Sequence, residues 1–418
     1  MIPIIPIQDF AQQNTLATKP INTQAPLMGD ATISGLKNSP PLSLYIHIPW
    51  CVKKCPYCDF NSHESKKDIP EHAYVDALIA DLEQAVPNIW GRKIRSIFFG
   101  GGTPSLFSGE SIERILNHVR MLTQLEYGAE ITLEANPGTI DAAHFIGYKQ
   151  AGVNRVSLGI QSFNDAHLNA LGRIHNQAQA KHAIIMALDT FEQVNLDVMY
   201  GLPNQSLAQA LHDAQTALDF NTAHLSFYHL TLEPNTAFYH TPPSLPDDDL
   251  TANMQEQIED LLKANGYHHY ETSAFAKGNH QSSQQCKHNL NYWQFGDYLG
   301  IGAGAHSKLS YHDKITRENR YKHPKQYMEN VHAGKHIEQT KMIERDELGF
   351  EFMMNALRLN EGVPASLFAQ HTGLNLNMIS SKLHIAQSKG LLESVLTTIK
   401  PTLRGQRYLN NLLQIFLD

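Results

Sequence analysis

From residue 44 onward the chain alternates short apolar, β-branched runs with longer stretches in which apolar positions recur every three or four residues. The short runs, at 44–49, 96–100, 131–135, 155–161, 195–200 and 224–232, predict strands; the stretches between them, at 71–86, 108–124, 141–151, 177–191 and 207–219, predict amphipathic helices. A strand–helix unit repeated in this way predicts an α/β fold with a parallel sheet and helices outside it. Eight units would close a TIM barrel, whereas six predict an open, partial (β/α)6 TIM-like barrel with a lateral gap. In either case the chemistry belongs at the C-terminal ends of the strands.

After residue 232 the alternation fades. A Pro-rich stretch at 242–246 precedes a predicted helix at 247–265 and a strand-like run at 270–276, so a mixed extension is expected over 236–340, packed across the barrel. The last residues, 341–418, read as helices at 346–359, 365–371, 377–390 and 405–417 with a wing at 397–403, a helical, winged-helix-like cap. A DNA-reading role is weak, because the helix at 377–389, the second of the winged-helix pair, carries only Lys382 and Lys389 as cations. The expected organisation is a flexible extension at 1–40, a barrel at 41–235, the mixed extension and the cap.

Composition narrows the classes. A net charge of -8 offers no electrostatic footprint for nucleic acid, and no apolar run approaches the ~20 residues of a membrane span. Peripheral membrane contact and oligomeric state stay open. The N-terminal 40 residues lack the basic-then-apolar pattern of a secretory signal and are rich in Gln, Asn, Thr, Pro and Ala. Three of the four cysteines fall within eight residues, leaving Cys286 without an evident disulfide partner, a usage suited to a reducing cytoplasm.

Those three are Cys51, Cys55 and Cys58, spaced C-x3-C-x2-C directly after the first predicted strand. Soft thiolates suit iron–sulfur clusters, zinc and copper(I), and a cubane with three thiolates would keep one iron open for an added chelate. Three other readings compete: a dithiol pair in Cys55-Pro56-Tyr57-Cys58, a zinc site completed by His47 or His63, and a disulfide. The second strand ends in Gly100-Gly101-Gly102-Thr103-Pro104, where consecutive glycines let backbone amides and carbonyls approach a ligand. Glu134 ends the third strand and Gln161 the fourth. Asp197 interrupts the apolar fifth strand and, facing inward, needs a polar partner such as a ribose hydroxyl. Arg173 can offer a fork to a carboxylate.

Together these residues closely resemble the radical S-adenosylmethionine (SAM) superfamily, and within it the coproporphyrinogen III dehydrogenase-like branch, from about residue 45 to the C-terminus. The resemblance implies that Cys51, Cys55 and Cys58 bind a 4Fe-4S cluster whose open iron chelates SAM and can cleave it to a 5′-deoxyadenosyl radical. It places Tyr45, Tyr57, Gly101, Gly102, Thr103, Glu134, Gln161, Arg173 and Asp197 at SAM-contacting positions. Dehydrogenases of the branch carry a further cysteine in C-x3-C-x2-C-x-C, where this chain has Phe60. It also has His288-Asn289-Leu290-Asn291-Tyr292-Trp293, the HNxxYW signature of the branch's haem chaperones. That sub-branch implies haem as cargo, delivery to haem-accepting respiratory proteins, and His288 as an axial imidazole with Cys286 and His306 as competitors. The alternative is oxygen-independent coproporphyrinogen III dehydrogenation. A nucleic-acid binder or RNA-modifying radical enzyme is disfavoured by the acidic balance.

Overall fold

The computed structural model describes residues 35–65, 68–280 and 282–417. Six strands, β1 (Leu42–Ile48), β2 (Lys93–Gly101), β3 (Gln124–Ala135), β4 (Arg155–Gln161), β5 (Gln193–Tyr200) and β6 (His224–His229), lie side by side in sequence order. Every neighbouring pair is parallel. Helices α1 (Glu71–Ala85), α2 (Gly109–Leu122), α3 (Ala142–Ala151), α4 (Gln177–Thr190) and α5 (Leu207–Asp219) connect them. This is the partial (β/α)6 barrel that the alternation predicts. Helix starts follow local chemistry: Asn176 with Gln179, and Ser206 with Gln209, each form a reciprocal capping box.

Alternation along β1 sorts the two faces. Leu44, Ile46 and Ile48 are fully buried in the main apolar cluster with Tyr74, Val75, Leu78 and Leu82 of α1. Each such side chain contributes about 1.5–3 kcal/mol by leaving water. Ser43, Tyr45 and His47 occupy the other face, which looks into the barrel.

The segment after β6 extends the sheet at both edges. Helix α6 (Asp248–Ala264) leads into a hairpin of β7 (Tyr267–Glu271) and β8 (Ala274–Lys277), with β8 antiparallel to β6. After helix α7 (Lys287–Trp293), β9 (Asp297–Ile301) pairs in parallel with β1. Strands β10 (His306–Ser310), β11 (Ile315–Asn319) and β12 (Gln339–Met342) continue outward as an antiparallel meander, with helix α8 (Pro324–His332) between the last two. The single strand expected at 270–276 is thus a hairpin, and the glycines around β9 hid a strand whose propensity they lower. Of the extension expected at 1–40, residues 1–34 lie outside the described residues; Leu36 is buried and its N–H donates to His312 O at 3.1 Å.

The C-terminal unit comprises α9 (Glu347–Ala356), α10 (Ser366–Thr372), α11 (Ser380–Ser388), α12 (Leu403–Arg407) and α13 (Leu409–Leu417), with Val363–Pro364 paired to Thr398–Ile399. Its core is shared with the segment around α7. Phe352 meets Phe295 and Phe368 edge-on at 5.7 and 5.1 Å between ring centroids, and the Arg358 guanidinium lies 4.5 Å from the centre of the Trp293 ring. The geometry is that of a packing cap.

The first-strand edge is locked to α1 by one buried ion pair. The fully buried Asp81 accepts from Arg320 Nε at 2.9 and 3.2 Å, from the Tyr327 hydroxyl at 2.8 Å and from Gly302 N–H at 3.1 Å. Replacing Asp81 with Ala leaves the buried Arg320 only the longer contact of its Nη1 with Glu318 at 3.5 Å, so urea unfolding should show a loss of up to about 3–5 kcal/mol. A loss below about 1 kcal/mol would mean that water reaches the pair.

Candidate functional site

The cysteine loop leaves the C-terminal end of β1 and is closed on itself. His63 N–H donates to Pro49 O at 2.7 Å and Ser65 N–H to Cys51 O at 2.9 Å, forming a two-residue parallel ladder of Trp50–Cys51 with His63–Glu64. Within the loop, Cys58 N–H donates to Cys55 O at 3.1 Å. All three cysteines are half-buried free thiols. Arg173 reaches them from beyond β4: its Nη1 stands 3.6 Å from Cys55 Sγ while Nη2 donates to Gly159 O at 2.9 Å. Among the described residues no three His, Cys, Asp or Glu side chains already stand together as a chelate for one ion. The thiols still feel one another. Burial pushes the Cys58 thiol up to about 11, with Cys55 and Cys51 adding to the rise, and burial raises Cys51 as well. Such groups hold their protons at neutral pH and release them when metal binds.

The neighbouring strand ends converge on the same rim. Gly102 N–H donates to Ile48 O at 2.8 Å and Thr103 N–H to Trp50 O at 2.7 Å, tying the glycine turn to the root of the cysteine loop. Only glycine fits there. A Cβ on Gly101, at φ +117°, would lie 2.6 Å from the His47 ring, and one on Gly102 would lie 2.5 Å from Trp50 O. Gln161 adopts φ +68°, and the β4–β5 register slips between Gly159 and Gln161. This bulge holds a strained backbone where the strand meets the rim, the setting in which side chains are re-aimed. Tyr57 packs on Phe238 with ring centroids 6.4 Å apart, and burial pushes its hydroxyl well above the ordinary phenol range. Tyr45 donates to His47 Nδ1 at 2.9 Å, and His47 Nε2 donates to Asn61 O at 2.8 Å, linking the barrel lumen to the loop.

Deeper in the lumen Asp197 is 8% exposed and fully partnered, which answers the cost of a charge inside a strand. Ser157 Oγ donates to its Oδ2 at 2.9 Å and Asn195 Nδ2 to its Oδ1 at 2.8 Å. Asn195 Oδ1 in turn accepts from His224 Nδ1 at 2.6 Å, and His224 Nε2 meets the Tyr270 hydroxyl at 2.8 Å. Burial holds His224 well below the usual imidazole range, so it is a neutral relay of hydrogen bonds. Ser157, Asn195, His224 and Tyr270 were not singled out from the sequence. The period-two recurrence of polar residues in Asn195 and Asp197, and in His224, Ser226 and Tyr228, was the available signal.

The HNxxYW run lies elsewhere than expected. Helix α7 plugs the N-terminal end of the barrel, opposite the cysteine rim. Glu130 of β3 accepts from Lys287 N–H at 3.1 Å and His288 N–H at 3.0 Å, and Cys286 N–H donates to the Tyr270 hydroxyl at 3.2 Å. His288 is 1% exposed; its Nδ1 bonds Ser96 Oγ at 2.9 Å, its Nε2 bonds the Tyr292 hydroxyl at 3.0 Å, and its ring lies 5.0 Å from that of Phe98. Both nitrogens are therefore occupied and the ring is buried. Cys286 is equally buried, whereas the His306 side chain is exposed at the rim end of β9–β10.

Comparison with known proteins decides the family. The Radical SAM superfamily profile matches residues 45–217 and the HemN C-terminal domain profile matches residues 343–408. The chain is 49% identical to "Heme chaperone HemW" of Haemophilus influenzae, over 90% of this chain and 98% of that protein. It is 48% identical to the Escherichia coli HemW over 90% and 98%, and 34% identical to that of Bacillus subtilis over 90% and 99%. The chain belongs to the HemW family. The solved coproporphyrinogen III oxidase HemN of Escherichia coli shares the fold, with a TM-score of 0.76, 23% identity and 90% of each chain covered. Membership in the radical SAM superfamily implies a 4Fe-4S cluster and SAM, and the free thiols at the rim of this HemW-family chain are a donor set of the right chemistry. No helix among the described residues is long and apolar enough to cross a membrane.

Glu134 supplies a test of the lumen's electrostatics. Burial, with Asp197 adding, pushes its carboxyl up to about 7, partly offset by the Gly101 amide. Between the ordinary carboxylate range and that value the folded chain keeps a proton that the unfolded chain has lost. Its contribution to stability therefore falls as pH rises through this window. Unfolding of the SAM-free protein and of Glu134→Gln, compared from about pH 5 to pH 8, should show the wild type losing ground to the variant as pH rises. A constant difference would mean that Glu134 is ionised throughout.

Proposed function

We propose that the protein is a haem chaperone that binds haem and passes it to haem-requiring respiratory proteins, carrying a 4Fe-4S cluster and SAM at the barrel rim. The identity to HemW proteins along nearly their whole length carries this reading. Phe60 supports it: at the position where dehydrogenases of the branch hold another cysteine stands a half-buried phenyl ring with no ligating atom.

In this reading Cys51, Cys55 and Cys58 hold the cluster, which when bound supplies an electron to SAM. Gly101, Gly102 and Thr103 present backbone groups to the SAM amino acid end. Arg173, anchored on Gly159 O, is placed to counter the thiolates and a carboxylate. Asp197, held by Ser157 and Asn195, faces a ribose, with Tyr45, Tyr57, Glu134 and Gln161 completing the lining. The handover takes place in the cytoplasm, whose reducing conditions keep the thiols free.

Anaerobically reconstituted protein should show broad visible absorption that each of Cys51→Ala, Cys55→Ala and Cys58→Ala abolishes. Retention of zinc alone would defeat the cluster assignment. The same preparation, given haem in one arm and coproporphyrinogen III with SAM and a reductant in the other, should bind haem stably and leave the porphyrinogen unconverted. Repeated turnover to protoporphyrinogen IX would replace the chaperone reading with the dehydrogenase one.

A further inference from the structure

The occupied nitrogens of His288 leave the question of where haem meets the protein. On the outer wall of the cysteine rim, the loop that follows the cysteines is bound to the segment that starts α8. Asn61 Nδ2 donates to Ala303 O at 3.0 Å and to Lys322 O at 2.9 Å, and His63 Nε2 donates to the same Lys322 oxygen at 3.3 Å. Two donors on one carbonyl fix the backbone that carries His323. The His63 ring then packs edge-on against that of His323, with centroids 5.4 Å apart and an interplanar angle of 71°.

His323 is exposed and occupies the N-cap place of α8, yet its side chain makes no capping bond, and among the described residues neither ring nitrogen is hydrogen-bonded. An imidazole positioned by its neighbours but used by none of them is a ready ligand for haem iron, which takes a single axial histidine in many proteins. Each of the two segments that meet here carries an exposed lysine: Lys322, next to His323 in the chain, and Lys54 of the cysteine loop, whose Nζ donates to Phe60 O and Ser62 O at 3.3 Å each. The half-buried Phe60 belongs to the same loop.

We infer that haem docks on this wall, with the His323 imidazole on its iron and the Lys322 and Lys54 ammonium groups towards its propionates. The inference rests on the haem-chaperone reading and adds to it a place and a ligand. Haem held here lies against the cysteine loop at the rim, at the far end of the barrel from the HNxxYW plug.

The test is a haem titration of the full-length, cluster-reconstituted chain, read by the Soret band, with the iron–sulfur absorption as a check on folding. His323→Ala should shift the Soret band and weaken binding about tenfold or more, while His306→Ala, at another histidine of the rim, stays within about twofold of wild type. Lys322→Gln should weaken binding of haem several-fold but leave binding of haem dimethyl ester, which lacks free propionates, unchanged. An unaltered Soret band and affinity in His323→Ala, or the loss appearing in His306→Ala instead, overturns the placement while the chaperone reading stands. Failure of the wild type to bind haem overturns both.

Discussion

A carboxylate inside a half-open barrel must be paired, and the architecture around the lumen follows from that requirement. Asp197 on β5 is satisfied by Ser157 and Asn195, and Asn195 is held in turn by His224 and Ser226. At the base, Glu130 would be a second uncompensated charge, and helix α7 answers it with two backbone amides from its own first turn. The attraction works in both directions. The carboxylate is solvated by N–H groups that have no partner inside the helix, and the positive end of the helix is anchored by a negative charge. Buried Arg155 lies within electrostatic reach of Glu130 and Asp197, so one guanidinium offsets part of their combined charge.

That pairing divides the barrel into two ends of different character. The base is dry and bonded throughout: Ser43, Ser96, His288 and Tyr292 form a continuous hydrogen-bonded run, and the flanking Trp293 and Phe295 reach into the apolar core of the C-terminal cap. The rim is the reverse. Its thiols are half-exposed, its glycine turn presents backbone, and Gln161 is held in a left-handed conformation that ordinary packing would not select. Rigidity at one end permits strain at the other, because a bulge at the end of β4 persists only when the sheet around it is over-determined.

How much of this was legible in the sequence depends on whether a signal was local. The six strand–helix units, the cysteine spacing and the glycine turn are short-range patterns, and the structure brings their residues to one rim. The first-strand edge was not legible: β9 ends in Gly300-Ile301 and runs on into Gly302-Ala303-Gly304, glycines that mask a strand, and its pairing with β1 spans some 250 residues of chain. Asp81 and Arg320 likewise declare nothing alone, since each looks like a solvated surface charge until the fold buries both. The HNxxYW motif was legible as a motif and misplaced in space. A conspicuous run of His, Asn, Tyr and Trp suggests a ligand surface, yet the same residue types serve a buried joint when a barrel base needs donors, acceptors and flat apolar rings together.

That joint links the cap to the lumen. His288, Tyr292 and Trp293 sit on one short helix, so the helix that closes the hydrogen bonds of Ser96 also carries the ring on which the cap's Arg358 lies. A shift of α7 large enough to free His288 would unpair Glu130 and withdraw Trp293 from the Arg358 guanidinium in the same movement. The penalties add, because a stranded carboxylate and a vacated aromatic pocket are separate losses arising from one displacement. The base of the barrel is therefore held shut by the cap's own packing.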